Sequence, residues 1–312
     1  MRGSGQTTLS ERIDLMGRGI HSGAPAKVTI SPADADTGVV FIRPGQEAAS
    51  QIAVSPRAVR NTDFATVLGH GEVEVATVEH LLAALSGLGV DNAIVEVDGG
   101  EVPIFDGSAQ AFVEAIDGAG VETQAAPRRY LKIVKPVRVD DGRAQGELLP
   151  YDGGLRVEIE IDFDHALIGR QRYAATLSPE TFRRDLAPAR TFGFMVDVAR
   201  LWSAGYARGA SLDNTICLSD DRVLNPTGLR FPDEFVRHKA LDAVGDLALA
   251  GLPILGRYRS FCGGHKLNAA VVAALAADPS AAAVVEAPRR RQRGHAELGV
   301  PVAVPAYRAD LS

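Results

Sequence analysis

Three residues near position 240 have types and spacing suited to chemistry. His238, Asp242 and Asp246 stand at i, i+4 and i+8. On an α-helix they share one side, one turn apart. An imidazole and a carboxylate at i, i+4 lean over the same turn and can ligate one metal ion. The same spacing also suits a solvated His–Asp stripe that stabilises an exposed helix. Glu79 and His80 form a second candidate, a carboxylate that could act as general base beside an imidazole ligand. They equally suit an exposed polar pair. His265 is a third, in the Gly-rich segment CGGHKLN that leads into a helix. Loops that open helices often carry function, although a turn or capping role is the plain alternative.

Three protein ligands with a fourth position open are the pattern of a catalytic zinc. His238, Asp242 and one further histidine would supply it, and spacing alone does not choose between His80 and His265. No HExxH pattern occurs, which excludes the common zinc proteases. GRGIHSG is Gly-rich but lacks the Lys-Ser/Thr of a phosphate loop.

The elements that must position these groups follow from periodicity. In TVEHLLAALSGLG, Val78, Leu81, Leu82 and Leu85 fall at i, i+3, i+4 and i+7, so a helix is expected over 77–86. Thr77 can cap its start, and Gly87 or Gly89 can end it. A longer helix is expected over 233–250, capped by Asp233 and ended by Gly251, with a last one over 266–276. Segments 26–30 and 39–42 flank the Asp- and Gly-rich SPADADTG, which reads as a hairpin. DNAIVEVDG alternates as a strand should. RAQGELLPYDGGLRVEIEIDFD repeats the strand, Pro-Asp/Gly turn, strand layout of the opening segment, with Val157, Ile159, Ile161 and Phe163 alternating with acids. The expected fold is α+β, with two similar domains, each a sheet covered by helices. A boundary falls at TQAAPRR, giving domains 1–126 and 127–288 and a basic tail, 289–312, that includes RRRQR.

Composition limits the function classes. The 312 residues carry 33 basic and 39 acidic side chains, a formal charge of −6. A nucleic-acid binder working by bulk charge would be basic, so no nucleic-acid partner is expected. Hydrophobic residues make up 46% and charged residues 23%, which excludes disorder throughout. No run of about 18 apolar residues is present, so no stable membrane insertion is expected. The N-terminal residues lack an apolar stretch of signal-peptide length. Two cysteines make neither a disulfide framework nor a Cys-rich zinc module. These features point to a cytoplasmic protein.

The motifs TVEHLLAALSGLGVDN, VPIFDGSAQAFV, ARTFGF, GASLDN, RVLNPTGLRFPDEFVRHKALDAVGDLALAG and GGHKLNAA resemble, in the same order, those of the UDP-3-O-acyl-N-acetylglucosamine deacetylases. The resemblance runs from about residue 6 to 276. It implies a zinc amidohydrolase of lipid A synthesis in Gram-negative bacteria, with two α+β domains and the active site between them. It implies one Zn2+ per chain, held by His80, His238 and Asp242. Glu79 would be the general base and His265 the second catalytic group, with Asp246 orienting His265 and Thr191 bonding the developing oxyanion. The substrate would be a UDP-linked acylated amino sugar. Lys239 would meet its diphosphate, with Asp162 and Phe163 near the nucleotide and Phe192 lining the site. Ala210, Leu212 and Cys217 would wall the acyl passage of an insert, and a monomer is expected. HSG stands where the family has His-Thr-Gly. A metal amidohydrolase on another acylated sugar nucleotide, or a non-catalytic metal-stabilised scaffold, are the alternatives.

Overall fold

The structure, a computed structural model, describes residues 4–45 and 51–287. The tail expected over 289–312 lies outside the described residues. Two sheets of matching topology organise the chain. In the first, the strand order is Ile13–Arg18, Pro25–Pro32, Ala93–Asp98, Val39–Ile42, Gln51–Ala53. In the second, Val137–Asp141 pairs with Ala144–Leu149, which pairs with Ile254–Phe261. That last strand carries Leu155–Asp162 on its other edge, followed by Arg170–Thr176.

The expected hairpin between 26–30 and 39–42 does not form. Ala93–Asp98 lies between the two strands, antiparallel to Pro25–Pro32 and parallel to Val39–Ile42. Val95 thus stands opposite Ile30 on one side and Phe41 on the other, and all three are buried. The second half repeats this arrangement, with Tyr258 between Leu148 and Val157. The Asp/Gly connections pass over a whole intervening strand, a separation of roughly 10 Å. A tight turn cannot span that gap, so the connections read as turns are crossings. The repeat noted in the sequence is therefore a repeat of topology.

The chain passes from one half to the other around residue 128. Val121–Pro127 pairs with Gly5–Leu9, and Arg129–Ile133 joins the second sheet. Among the described residues no helix is long and apolar enough to cross a membrane.

Helices Glu79–Leu88 and Glu234–Leu247 pack against each other where the halves meet. Every residue of Glu79–Leu88 except Ser86 is buried, so both its apolar stripe and its polar side face protein. The two axes come close because residue 245 is glycine. A Cβ there would lie 2.0 Å from the carbonyl oxygen of Glu79. Gly89 ends the first helix in the left-handed region at φ 77°.

Two expected caps are absent. Thr77 lies at φ 59° and its hydroxyl donates to Glu101 Oε1 at 3.0 Å, so it braces the preceding loop. Asp233 precedes Glu234–Leu247, but its carboxylate accepts from Arg237 Nε at 2.6 Å instead of from the helix backbone. That helix continues into a short turn, Ala248–Ala250, and Gly251 ends it at φ 76°.

Candidate active site

The polar stripe of helix Glu234–Leu247 is not a solvated surface. His238, Asp242 and Asp246 are 2%, 2% and 0% exposed, and Glu79 and His80 are 2% and 4% exposed. The stripe faces the start of helix Glu79–Leu88 and the first residue of helix His265–Ala277. This removes the exposed-pair readings.

The ligand atoms of His80, His238 and Asp242 lie within 4.8 Å of one another. His238 Nε2 is 3.3 Å and His80 Nε2 is 3.5 Å from Asp242 Oδ1. The two rings meet edge to face, with centroids 5.0 Å apart. His238 donates its Nδ1 proton to the carbonyl oxygen of Ala189 at 3.0 Å. Burial, against the pull of Asp242, holds this imidazole down at about 3, so it is neutral near pH 7. Its Nε2 is then a bare lone pair aimed at a carboxylate oxygen. Asp242 Oδ1 is itself buried without a hydrogen-bond partner among the described residues. Two lone pairs facing each other in a buried site repel unless a cation lies between them. Two imidazoles and one carboxylate are donors that suit a divalent metal ion. The residues present therefore fit a metal.

Burial opposes charge on Asp242. The Lys239 ammonium, 2.9 Å from Oδ2, and the His265 cation nevertheless hold the carboxyl well below its ordinary range. Glu79 differs. Burial raises its pKa, and the charge of His265 offsets this only partly. A carboxylate tuned upward is a better proton acceptor near neutral pH. Its Oε1 is 3.9 Å from His265 Nε2.

His265 opens its helix. Burial pulls its pKa down, but Asp246, through charge and a 2.9 Å hydrogen bond at Nδ1, outweighs burial. Glu79 and Asp242 add to the effect, and the imidazole is pushed up to about 9. The site thus holds one imidazole kept neutral and another kept cationic, separated by the position of the carboxylates.

Glu79, His80, His238, Asp242 and His265 line a cavity of about 210 Å³ together with Thr191, Phe192, Ala210 and Lys239, and Asp246 lies behind them. A wider cavity of about 480 Å³ beside Tyr130 and Ser178 contains none of them. Thr191 is fixed through its backbone, which donates to Gly107 and accepts from Ile216, both at 2.8 Å. The Phe192 ring lies 5.7 Å from Lys239 Nζ and 5.7 Å from the Phe163 ring. Phe163 and Asp162 stand at the end of strand Leu155–Asp162, outside the cavity lining, with Asp162 ion-paired to Arg143. Leu212 and Cys217 do not line the cavity either. Leu212 is 45% exposed, and Cys217 Sγ lies 3.9 Å from Met195 Sδ.

Residues 6–277 match the family LpxC, UDP-3-O-acyl N-acetylglycosamine deacetylase. This chain belongs to that family. A relative from Brucella melitensis biotype 2, named UDP-3-O-acyl-N-acetylglucosamine deacetylase, is 53% identical over 283 residues, which cover 90% of this chain and 99% of the relative. Relatives of the same name from Brucella ovis and Brucella canis are 52% identical over 283 residues, with the same 90% and 99% covered.

In this member of the deacetylase family, several site residues carry little or no signal in the sequence. His21 lines the cavity, with Nδ1 accepting from the Ala207 N–H at 3.3 Å and its ring edge-on to Tyr206. Thr66 and Asn268 hold the carboxylates from behind, with Asn268 Nδ2 donating to Asp246 Oδ2 at 2.8 Å. Asn268 stands three residues after His265 on one helix, a spacing that could have suggested it. Arg190 and Glu234 form a buried pair at 2.9 Å that pins the segment carrying Ala189 and Thr191 onto the metal-site helix.

Proposed function

We propose that this chain hydrolyses the acetamide of UDP-3-O-(3-hydroxyacyl)-N-acetylglucosamine, releasing acetate and the free amine for lipid A synthesis, with one zinc ion held by His80, His238 and Asp242. Membership of the deacetylase family and relatives of that name across 90% of the chain support the reaction. One observation carries the mechanism. The bare Nε2 lone pair of His238 faces the unpartnered Asp242 Oδ1 directly beside a buried carboxylate, Glu79, and a cationic imidazole, His265.

An amide resists water because its nitrogen lone pair is delocalised and an amine leaves poorly. Zinc, when bound, supplies Lewis acidity that polarises the carbonyl and makes water acidic near neutral pH. Glu79 takes a proton from the attacking water, and burial keeps it basic enough to do so. Thr191 donates its hydroxyl proton to the oxygen that gains charge, and the His265 cation adds to that field. His265 then gives its proton to the departing nitrogen. Asp246 holds His265 in orientation and keeps it charged.

Lys239 presents a cation at the cavity wall to the substrate's diphosphate, with Asp162, Phe163 and Phe192 towards the nucleotide. Ala210, Leu212 and Cys217 belong to the acyl passage, and of these Ala210 alone lines the cavity that holds the reacting groups. We place the two domains at 1–126 and 127–288. The single chain supplies every group named, so a monomer suffices. Cys217 and Cys262 are free thiols, as a reducing cytoplasm keeps them.

The test is acetate release from that substrate by metal-stripped and zinc-reloaded protein. The reading expects none from the stripped protein and recovery with one equivalent of zinc. Release that is indifferent to stripping, or absent from zinc-loaded protein, would contradict it.

A further inference from the structure

We infer that Thr66 is a positioning residue that sets both proton-handling groups of the site at once. This rests on the roles proposed above for Glu79 and His265. Thr66 is fully buried and contributes no atom to the cavity lining, so it acts through other side chains. All three of its polar groups are spent on the site. Its backbone N–H donates to Glu79 Oε2 at 3.0 Å. Its carbonyl oxygen accepts from the N–H of Val78, the residue before Glu79, at 3.3 Å. Its hydroxyl donates to Asp246 Oδ1 at 2.6 Å.

Each contact fixes something the chemistry needs. With Oε2 of Glu79 held by Thr66, Oε1 is the oxygen left to face the reaction. It is also the one directed at His265, 3.9 Å away. Asp246 accepts from Thr66 on Oδ1 and from His265 and Asn268 on Oδ2. A carboxylate held on both oxygens cannot rotate about its Cβ–Cγ bond, so His265 Nδ1 meets a stationary acceptor. Thr66 lies in the first half of the chain and Asp246 in the second. The hydroxyl is therefore a hydrogen-bonded link that registers the general base on one half against the proton donor on the other. A buried acceptor that loses its donor seeks another partner, and His265 would turn with it.

The experiment compares Thr66→Val, which keeps the shape, Thr66→Ala, and Thr66→Ser, which keeps the hydroxyl. It measures metal per chain, kcat and KM for acetate release, and the low-field proton resonance of His265 Nδ1 in metal-free protein. Val and Ala should keep the metal and KM, lower kcat about 10- to 100-fold, and shift or broaden the resonance. Ser should restore kcat and the resonance. An unchanged kcat in folded Thr66→Val, a loss that Ser does not reverse, or a loss that follows metal content would overturn the inference. If Thr66→Val does not fold, Thr66→Ala is judged by the same criteria. Failure of the wild type to release acetate would count against the proposed reaction. The resonance would still decide the role of Thr66, because identical spectra for wild type and the hydroxyl-free variant would overturn it.

Discussion

Asp246 Oδ2 accepts the Nδ1 proton of His265 at 2.9 Å, which ties the metal-site helix to the first residue of the helix that follows strand Ile254–Phe261. The bond sets the charge of the imidazole. Its pKa of about 9 in the folded protein lies above the ordinary 6.5. A raised pKa means the proton binds the folded state more tightly. The pair's contribution to stability is complete below pH 6.5 and fades as pH rises through about 9. In Asp246→Asn, burial remains and the largest opposing charge is gone. A histidine NMR titration of metal-free protein should place the wild-type midpoint near 9 and the variant's clearly lower. A variant midpoint as high as the wild type's would refute this account of the charge.

Gly245→Ala should separate the two site helices. The added Cβ would meet the Glu79 carbonyl oxygen at 2.0 Å, and that oxygen belongs to the backbone and cannot swing aside. Overpacking of this kind costs about 1–3 kcal/mol. Denaturant unfolding should show that loss, and metal affinity should fall with it because His80 and His238 sit on opposite sides of the contact. Unchanged unfolding and metal binding would show that the helices adjust freely.

Glu234→Gln tests how the segment before Thr191 is held. Glu234 accepts from Arg190 Nε, from a terminal nitrogen of the same guanidinium and from the Arg190 backbone N–H, and both side chains are buried. Removing one charge leaves the other unpaired, a loss of about 3–5 kcal/mol. The neighbouring Ala189 carbonyl accepts from His238, so metal affinity should weaken about 10- to 100-fold as well. Equilibrium unfolding and metal titration measure both effects. Loss of stability with full metal affinity would separate the ion pair from the site.

Much of the site was legible in spacing, because His238, Asp242 and Asp246 share a helix and its 3.6-residue period places them on one side. What spacing could not decide was whether that side met water or protein. The answer depends on Gly245 admitting a second helix, and a lone glycine inside a helix does not announce its neighbour. The strand segments were legible too, but their pairing was not. Alternation in 26–30 and the apolar run VVFI at 39–42 mark two strands and are silent on the strand that enters between them from position 93. Thr66 carried no signal because a single threonine before a short strand has no period and no motif. His21 was visible as the histidine of HSG in a Gly-rich loop with no role attached, and its place in the cavity comes from contacts with Ala207 and Tyr206, nearly two hundred residues away.

Ala210→Phe should narrow the acyl passage from inside the cavity. Each buried methylene contributes about 0.8 kcal/mol, roughly a fourfold change in binding. Substrates with progressively shorter acyl chains should therefore lose less kcat/KM on the variant than on the wild type. If the chain-length profile keeps its shape, residue 210 does not wall the passage.

The central claim is that Glu79 moves a proton beside a metal that it does not hold. Metal content and turnover measured together on Glu79→Gln test it most directly, with His80→Ala as the reference for a lost ligand. Glu79→Gln keeps the shape and cannot accept the proton of water. The account predicts a full complement of metal in Glu79→Gln and a turnover lower by about 10²–10⁴-fold, while His80→Ala loses metal and turnover together. A Glu79→Gln protein that loses its metal as His80→Ala does, or one that turns over at the wild-type rate, would contradict it.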